Sequence, residues 1–197
     1  MTVSYAFTVP RLTLGISACL LGEPVRYDGG HKRDRYILEA LAPHFDFRPL
    51  CPEMAIGLGA PRPPLRLVQE GGAIRARGVQ DPSLDVTAEL AGFGLRIAAD
   101  AHDLSGYLFK ARSPSCGMAR VTVHDSKGHA QRGGRGIYAD ALLNRLPLLP
   151  TEEEGRLQHA ALRENFLERV YAYARWRSLL AQGPTAEALV HFHTRHK

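Results

Sequence analysis

Cys19, Cys51 and Cys116 are the only thiols in the 197-residue chain, and each follows a short apolar run. Leu12 to Ser17 leads into Cys19 and then Gly22 and Pro24, and Phe45 to Leu50 leads into Cys51-Pro52. Gly106 to Lys110 leads into Ser113-Pro114-Ser115-Cys116-Gly117. An odd number of widely spaced thiols builds no disulfide framework, so the readings are inert buried thiols, a catalytic thiol or metal ligands. Three thiols at three strand-to-loop junctions favour the metal reading, because soft sulfur ligands suit iron–sulfur clusters and zinc. Zinc normally closes a tetrahedron with four ligands, and no Cys-x-x-Cys or Cys-x-x-His pair occurs here, which leaves His31 or His44 for the fourth place. A four-iron cluster on three thiolates instead leaves one iron without a protein ligand, open to a substrate atom as a Lewis acid. An open iron points to catalysis more than to electron transfer.

The elements that must position these cysteines alternate between strand and helix patterns. Asp34 to Leu41 reads as a helix stopped by Pro43, and Thr87 as the cap of a helix running to about Asp103. Residues 57–85 are rich in Gly, Pro and Arg and read as a long loop or lid. Val121 and Val123 suggest a strand, Gly133 to Gly136 a loop, and Ile137 to Leu146 a helix. Thr151 with Glu154 makes a capping box for a long helix to about Ala181, with Leu162, Phe166, Val170, Tyr173 and Leu180 as its apolar stripe. The expected fold class is therefore α/β, a Rossmann-like, mostly parallel sheet with flanking helices and a long C-terminal helix. Ligands of such sheets sit beyond the carboxyl ends of the strands, where all three cysteines would converge. Residues 1–182 are expected to form this domain, and 183–197 a linker and the truncated start of a second helical domain.

Composition excludes several classes. An apolar fraction of 45% and a charged fraction of 23% are those of an ordinary globular domain. No stretch is apolar enough to span a membrane, and Pro10 and Arg11 interrupt any signal-peptide pattern, so a cytoplasmic location is expected. The net charge of +5 comes from scattered Arg and Lys, which reads as a solvated basic surface rather than a nucleic-acid track, and leaves room for a small anionic ligand.

Beside the cysteines stand polar residues fit for chemistry. Glu53, two residues from a thiol, is placed to activate a water or shuttle a proton. Ser113 precedes a proline, and its hydroxyl either faces the thiols or caps the turn around Cys116. Ser17, Asp28 and Arg62 are candidate substrate-binding groups, in loops shared with Arg26, Tyr27 and Lys110. The ordered segments Ile16 to Gly22 with Val25 to Gly29, Cys51-Pro52-Glu53, Pro61-Arg62, Lys110 with Ser113 to Gly117, and Glu152 to Leu157 together resemble the bacterial thiouracil desulfidase family. The likeness runs from about residue 12 to 180, and the tail Val190 to Lys197 resembles the opening of a second domain that some members carry.

That resemblance implies a 4Fe-4S cluster on Cys19, Cys51 and Cys116, sensitive to air, with Glu53 and Ser113 as catalytic residues. It implies a non-redox, hydrolytic removal of sulfur from a thio-nucleobase, thiouracil giving uracil, and the sequence leaves a free thio-base, a nucleoside and a thiolated base in tRNA open as the natural substrate. From the residues alone, two other readings stay open: an iron–sulfur redox carrier or sensor, and a zinc-stabilised RNA-binding module.

Overall fold

The computed structural model describes residues 11–125 and 127–195. The predicted lack of a signal peptide in the first ten residues, and the last two residues of the C-terminal segment, lie outside that range. Among the described residues eight strands form: β1 (Leu12–Ser17), β2 (Phe45–Leu50), β3 (Leu65–Glu70), β4 (Ala73–Gly78), β5 (Leu104–Phe109), β6 (Val121–His124), β7 (Ala130–Gly134) and β8 (Thr151–Glu153). The helices are α1 (Pro52–Ala55), α2 (Thr87–Ala99), α3 (Ile137–Arg145), α4 (Ala160–Ala181) and α5 (Ala186–Arg195).

β2, β1, β5 and β8 pair side by side, all parallel, as the sequence pattern requires. Their run of Leu, Ile, Phe and Tyr suits a sheet buried on both faces. Leu14, Ile16 and Leu108 point to one side and pack with Phe166 and Val170 of α4. Tyr107 and Phe109 point to the other and pack with Ile97 of α2 and Tyr138 and Leu142 of α3. Gly15 makes room for this layer, since a Cβ there would stand 2.4 Å from the Tyr107 ring. The register sets Ser17 against Leu50 and Ile16 against Leu108, so the carboxyl ends of β1, β2 and β5 lie level.

Four expectations are corrected. Residues 57–85 are not one long loop, because Leu65, Leu67, Ile74 and Ala76 alternate inward as the hairpin β3–β4. Gly71 and Gly72, at φ of 56° and 82°, supply the left-handed turn that joins these strands. β6 and β7 extend the hairpin into a second, mixed sheet of order β4-β3-β6-β7. Thr151 caps no helix, because pairing of Tyr107 with Thr151 makes it the start of β8, and α4 begins only at Ala160. Thr87 likewise gives no side-chain cap to α2, since its hydroxyl accepts the Ala76 amide at 2.9 Å and donates to Asp85 at 2.6 Å. The helical stretch after Asp34 is short, a π-type turn over Ile37–Leu41.

Of the predicted α4 stripe, Phe166 and Val170 are fully buried, while Leu180 is 48% exposed. Truncating Phe166 removes the ring that closes the α4 side of the parallel sheet. Phe166→Ala should cost about 3–5 kcal/mol in denaturant unfolding, with an unchanged denaturant slope.

Candidate active site

The level strand ends deliver the three thiols to one place, since Cys19, Cys51 and Cys116 all line a single cavity of about 700 Å³. Cys19 lies in a 3-10 turn (Ala18–Leu21) that leaves β1 directly and is ended by Gly22 at φ 102°. Its carbonyl accepts the Lys32 amide at 2.9 Å, which draws the 22–32 loop over the strand edge. Cys51 stands at the N-cap of α1, with Pro52 at the first helical position, where a missing N–H costs nothing. The Cys51 Sγ approaches the Val25 carbonyl at 3.7 Å.

Cys116 is held by a turn that Ser113 caps and that neighbouring elements clamp. Ser113 Oγ accepts the Ser115 amide at 3.2 Å and the Cys116 amide at 3.0 Å. The first amides of α3 clamp this turn from below, Ile137 N to Pro114 O at 3.0 Å and Ala139 N to Ser115 O at 3.1 Å. Gly136 permits that approach, because a Cβ there would meet the Ser115 carbonyl at 2.5 Å. From the sheet side, Glu153 of β8 accepts the Met118 amide at 2.8 Å, and Glu154 accepts the Ala111 amide at 2.7 Å and pairs with Lys110.

Glu53 and Arg62 form the second feature of the cavity wall. Arg62 Nε donates to Glu53 Oε2 at 2.7 Å, and Ser115 Oγ donates to Glu53 Oε1 at 2.7 Å. Arg62 also donates to the carbonyls of Val25, at 2.9 Å, and Gly59. Its side chain is only 4% exposed and that of Glu53 12%, so this is a fixed, enclosed pair. Arg62 therefore joins four segments and holds Glu53 in place, with its donors committed to the protein. Ser17 is buried; its hydroxyl accepts the Lys110 amide at 2.9 Å and lies beside Cys116. Asp28 is not among the cavity-lining residues: it binds the Gly30 amide and Arg26, contacts that lower its pKa.

Sequence reasoning missed Lys32, Arg112 and Glu154, which also line the cavity. No periodicity marks them, because they sit in irregular loops or at a strand end. Arg112 adopts φ 63°, a left-handed conformation unusual for a non-glycine residue.

The thiols are unpaired and mutually unfavourable as anions. Burial, with the charge of Cys51 next, pushes Cys19 up to about 11. Burial raises Cys51, and burial together with Cys51 and Glu53 raises Cys116 well above the ordinary thiol range. Lys110 and Arg26 only partly offset this at Cys19, and a further positive centre, such as bound iron would supply, would favour three thiolates together. Among the described residues, no three His, Cys, Asp or Glu side chains gather as a site for one metal ion. Neither His31 nor His44 lines the cavity, so neither stands ready as a fourth ligand. Three soft donors spread around one cavity, with no fourth, fit a cluster larger than a single ion and open on one side.

A sequence model of the 2-thiouracil desulfurase family matches residues 14–154, which include all three cysteines, Glu53 and Ser113. The chain belongs to that family. Among solved structures, a protein described as the 4Fe-4S-dependent thiouracil desulfidase TudS is similar at 34% identity and a TM-score of 0.59, covering 79% of this chain and 99% of that one. No curated protein matches the chain. The desulfurase family match ends at Glu154, the last of the glutamates that brace the cavity loops.

Arg62→Met tests whether the buried pair builds the desulfurase cavity. Removing one partner strands the other charge, and the variant should lose about 3–5 kcal/mol in denaturant unfolding at neutral pH. A surface pair such as Arg35–Glu39, broken the same way, should cost no more than about 1 kcal/mol.

Proposed function

We propose that this protein is a 4Fe-4S-dependent desulfidase that hydrolyses the carbon–sulfur bond of a thiolated nucleobase or nucleoside of the thiouracil type. The single observation that carries the proposal is the convergence of Cys19, Cys51 and Cys116 on one cavity beside a buried, oriented Glu53. The three cysteines would hold the cluster. When bound, it supplies an open iron that acts as a Lewis acid toward sulfur.

The rest of the chemistry belongs to the chain. The reaction is balanced without a redox partner: water gives its oxygen to the thiocarbonyl carbon, the C–S bond breaks and sulfur leaves as hydrogen sulfide. Glu53 is the base that takes the proton from this water. Its two oxygens are fixed by Arg62 and Ser115, which leaves its remaining lone pairs for the cavity. Ser113 uses its oxygen lone pairs on the turn of Cys116, and its hydroxyl proton is free to donate to a substrate oxygen or to the leaving sulfur. Ser17 fixes the Lys110 amide beside Cys116 and so shapes the floor. Arg26 and Tyr27 line the rim, where a planar heterocycle enters, with Asp28 orienting Arg26 from outside.

No helix among the described residues is long and apolar enough to cross a membrane. A reducing cytoplasm suits three free thiols at an open iron. In this reading residues 1–182 hold the catalytic unit, and 183–197 are a helical segment outside it. The support is that α5 has no buried residue and meets α4 through Phe192 and Trp176, ring centroids 5.3 Å apart. A thiolated base within tRNA belongs to the same reaction class, although the cavity itself is sized for a small molecule.

Glu53→Gln keeps shape and hydrogen bonding while removing basicity. It should retain its iron and release sulfide from thiouracil at least about a hundredfold more slowly, the usual range for loss of a general base. Each of Cys19→Ser, Cys51→Ser and Cys116→Ser should instead lose iron after anaerobic reconstitution. A Glu53→Gln variant that works at the normal rate would remove Glu53 from the mechanism, and a serine variant with full iron would remove that cysteine from the ligand set.

A further inference from the structure

The outer face of the β4-β3-β6-β7 sheet carries a feature that the cavity does not use. Arg66 pairs with Arg77, Leu67 with Val123, and Thr122 with Arg132. Arg77, Arg66, Thr122 and Arg132 therefore form one row across four strands, about 15 Å long at roughly 4.8 Å per strand. Side chains alternate along a strand, so this row faces away from Leu67, Ala76 and Val121, which pack with Leu90 of α2.

Like charges set directly opposite in an antiparallel pair destabilise it unless something compensates them. Arg77 is compensated by Glu70 at 2.8 Å and Asp85 at 3.4 Å, and Arg75 in the next row by Asp85 at 2.8 Å. Arg66 is not. Its Nε is buried and has no hydrogen-bond partner among the described residues, a condition rare enough in folded proteins to call for an explanation. Arg132 is exposed and forms no ion pair among the described residues. Four arginines thus face two carboxylates, an excess of two positive charges beside the Thr122 hydroxyl.

We propose that this row is a second ligand site, distinct from the thiol cavity, that binds a phosphate group between Arg66 and Thr122 with Arg77 and Arg132 flanking it. The guanidinium fork matches the spacing of two oxygens on phosphate, and the hydroxyl supplies a further donor. The excess of two charges suits a dianion better than a carboxylate. The phosphate is either the free ion or the monoester of a small metabolite.

Titration calorimetry of the full chain at constant ionic strength, with inorganic phosphate and separately with ribose 5-phosphate, tests the site. Saturable binding is expected, weakened at least about tenfold in Arg66→Met, because the charge-assisted bidentate bonds are lost. Binding of both ligands identifies the phosphate group alone as what is read, and binding of ribose 5-phosphate only identifies a monoester. A structural role for Arg66 is separated by thermal unfolding in chloride, where Arg66→Met should be at least as stable as wild type and should lose the rise in midpoint that phosphate gives wild type. Thr122→Val, which leaves every charge in place, should also weaken binding and serves if Arg66→Met does not fold. No saturable binding of either ligand, or equal affinity in wild type and both variants, overturns the proposal.

Discussion

Parallel pairing of β1 with both β2 and β5 carries everything else, because it levels the three strand ends from which the thiols depart. The pairing is stable only while both faces are buried, by α4 on one side and by α2 and α3 on the other. A shift of one residue in either pair would turn Leu14, Ile16 and Leu108 out of their packing and carry a cysteine away from the cavity. Core packing and site geometry are thus one constraint: residues that look purely structural, such as Gly15 and Phe166, set where the chemistry occurs.

Around that edge the chain spends its polar residues on holding loops still. Glu153 and Glu154 tie the Cys116 and Lys110 loops to β8, Ser17 ties Lys110 to β1, and Arg62 joins the loops at Val25, Gly59 and Glu53. These bonds are all at least partly buried, where an unmade bond costs more than a made one gains. The outcome is a preorganised wall from which, in the proposed mechanism, Glu53 and the Ser113 proton would act on a substrate.

Much of this was legible in the sequence. Each cysteine was recognisable as a strand-to-loop residue because apolar runs end abruptly at Gly or Pro, and parallel topology then sends those ends to one edge. The hairpin β3–β4 was only partly legible: Leu65, Leu67, Ile74 and Ala76 alternate with Arg66, Arg75 and Arg77, but Val68 breaks the period and the Gly- and Pro-rich flanks read as loop. The Thr151–Glu154 pattern was a valid local capping signal that lost to tertiary pairing with β5, and Glu154 went to Lys110 instead. Glu53 was chosen for its distance from Cys51, but its partners Arg62 and Ser115 are set by loop closure, which no spacing rule contains. Ser113 was left between two roles; its oxygen caps the turn through the Ser115 and Cys116 amides, and the residue also lines the cavity.

The central claim is that three cysteines hold a four-iron cluster open on one side; the similar TudS structure is that of a protein described as 4Fe-4S-dependent. Anaerobically reconstituted protein should be analysed for iron and acid-labile sulfide, and its electronic spectrum recorded before and after addition of thiouracil or sulfide. This account expects about four irons and four sulfides per chain, as in clusters of this class, and a spectrum that changes on addition because the ligand reaches an iron the protein leaves free. Zinc in place of iron, or a cluster whose spectrum is indifferent to both additions, would contradict it.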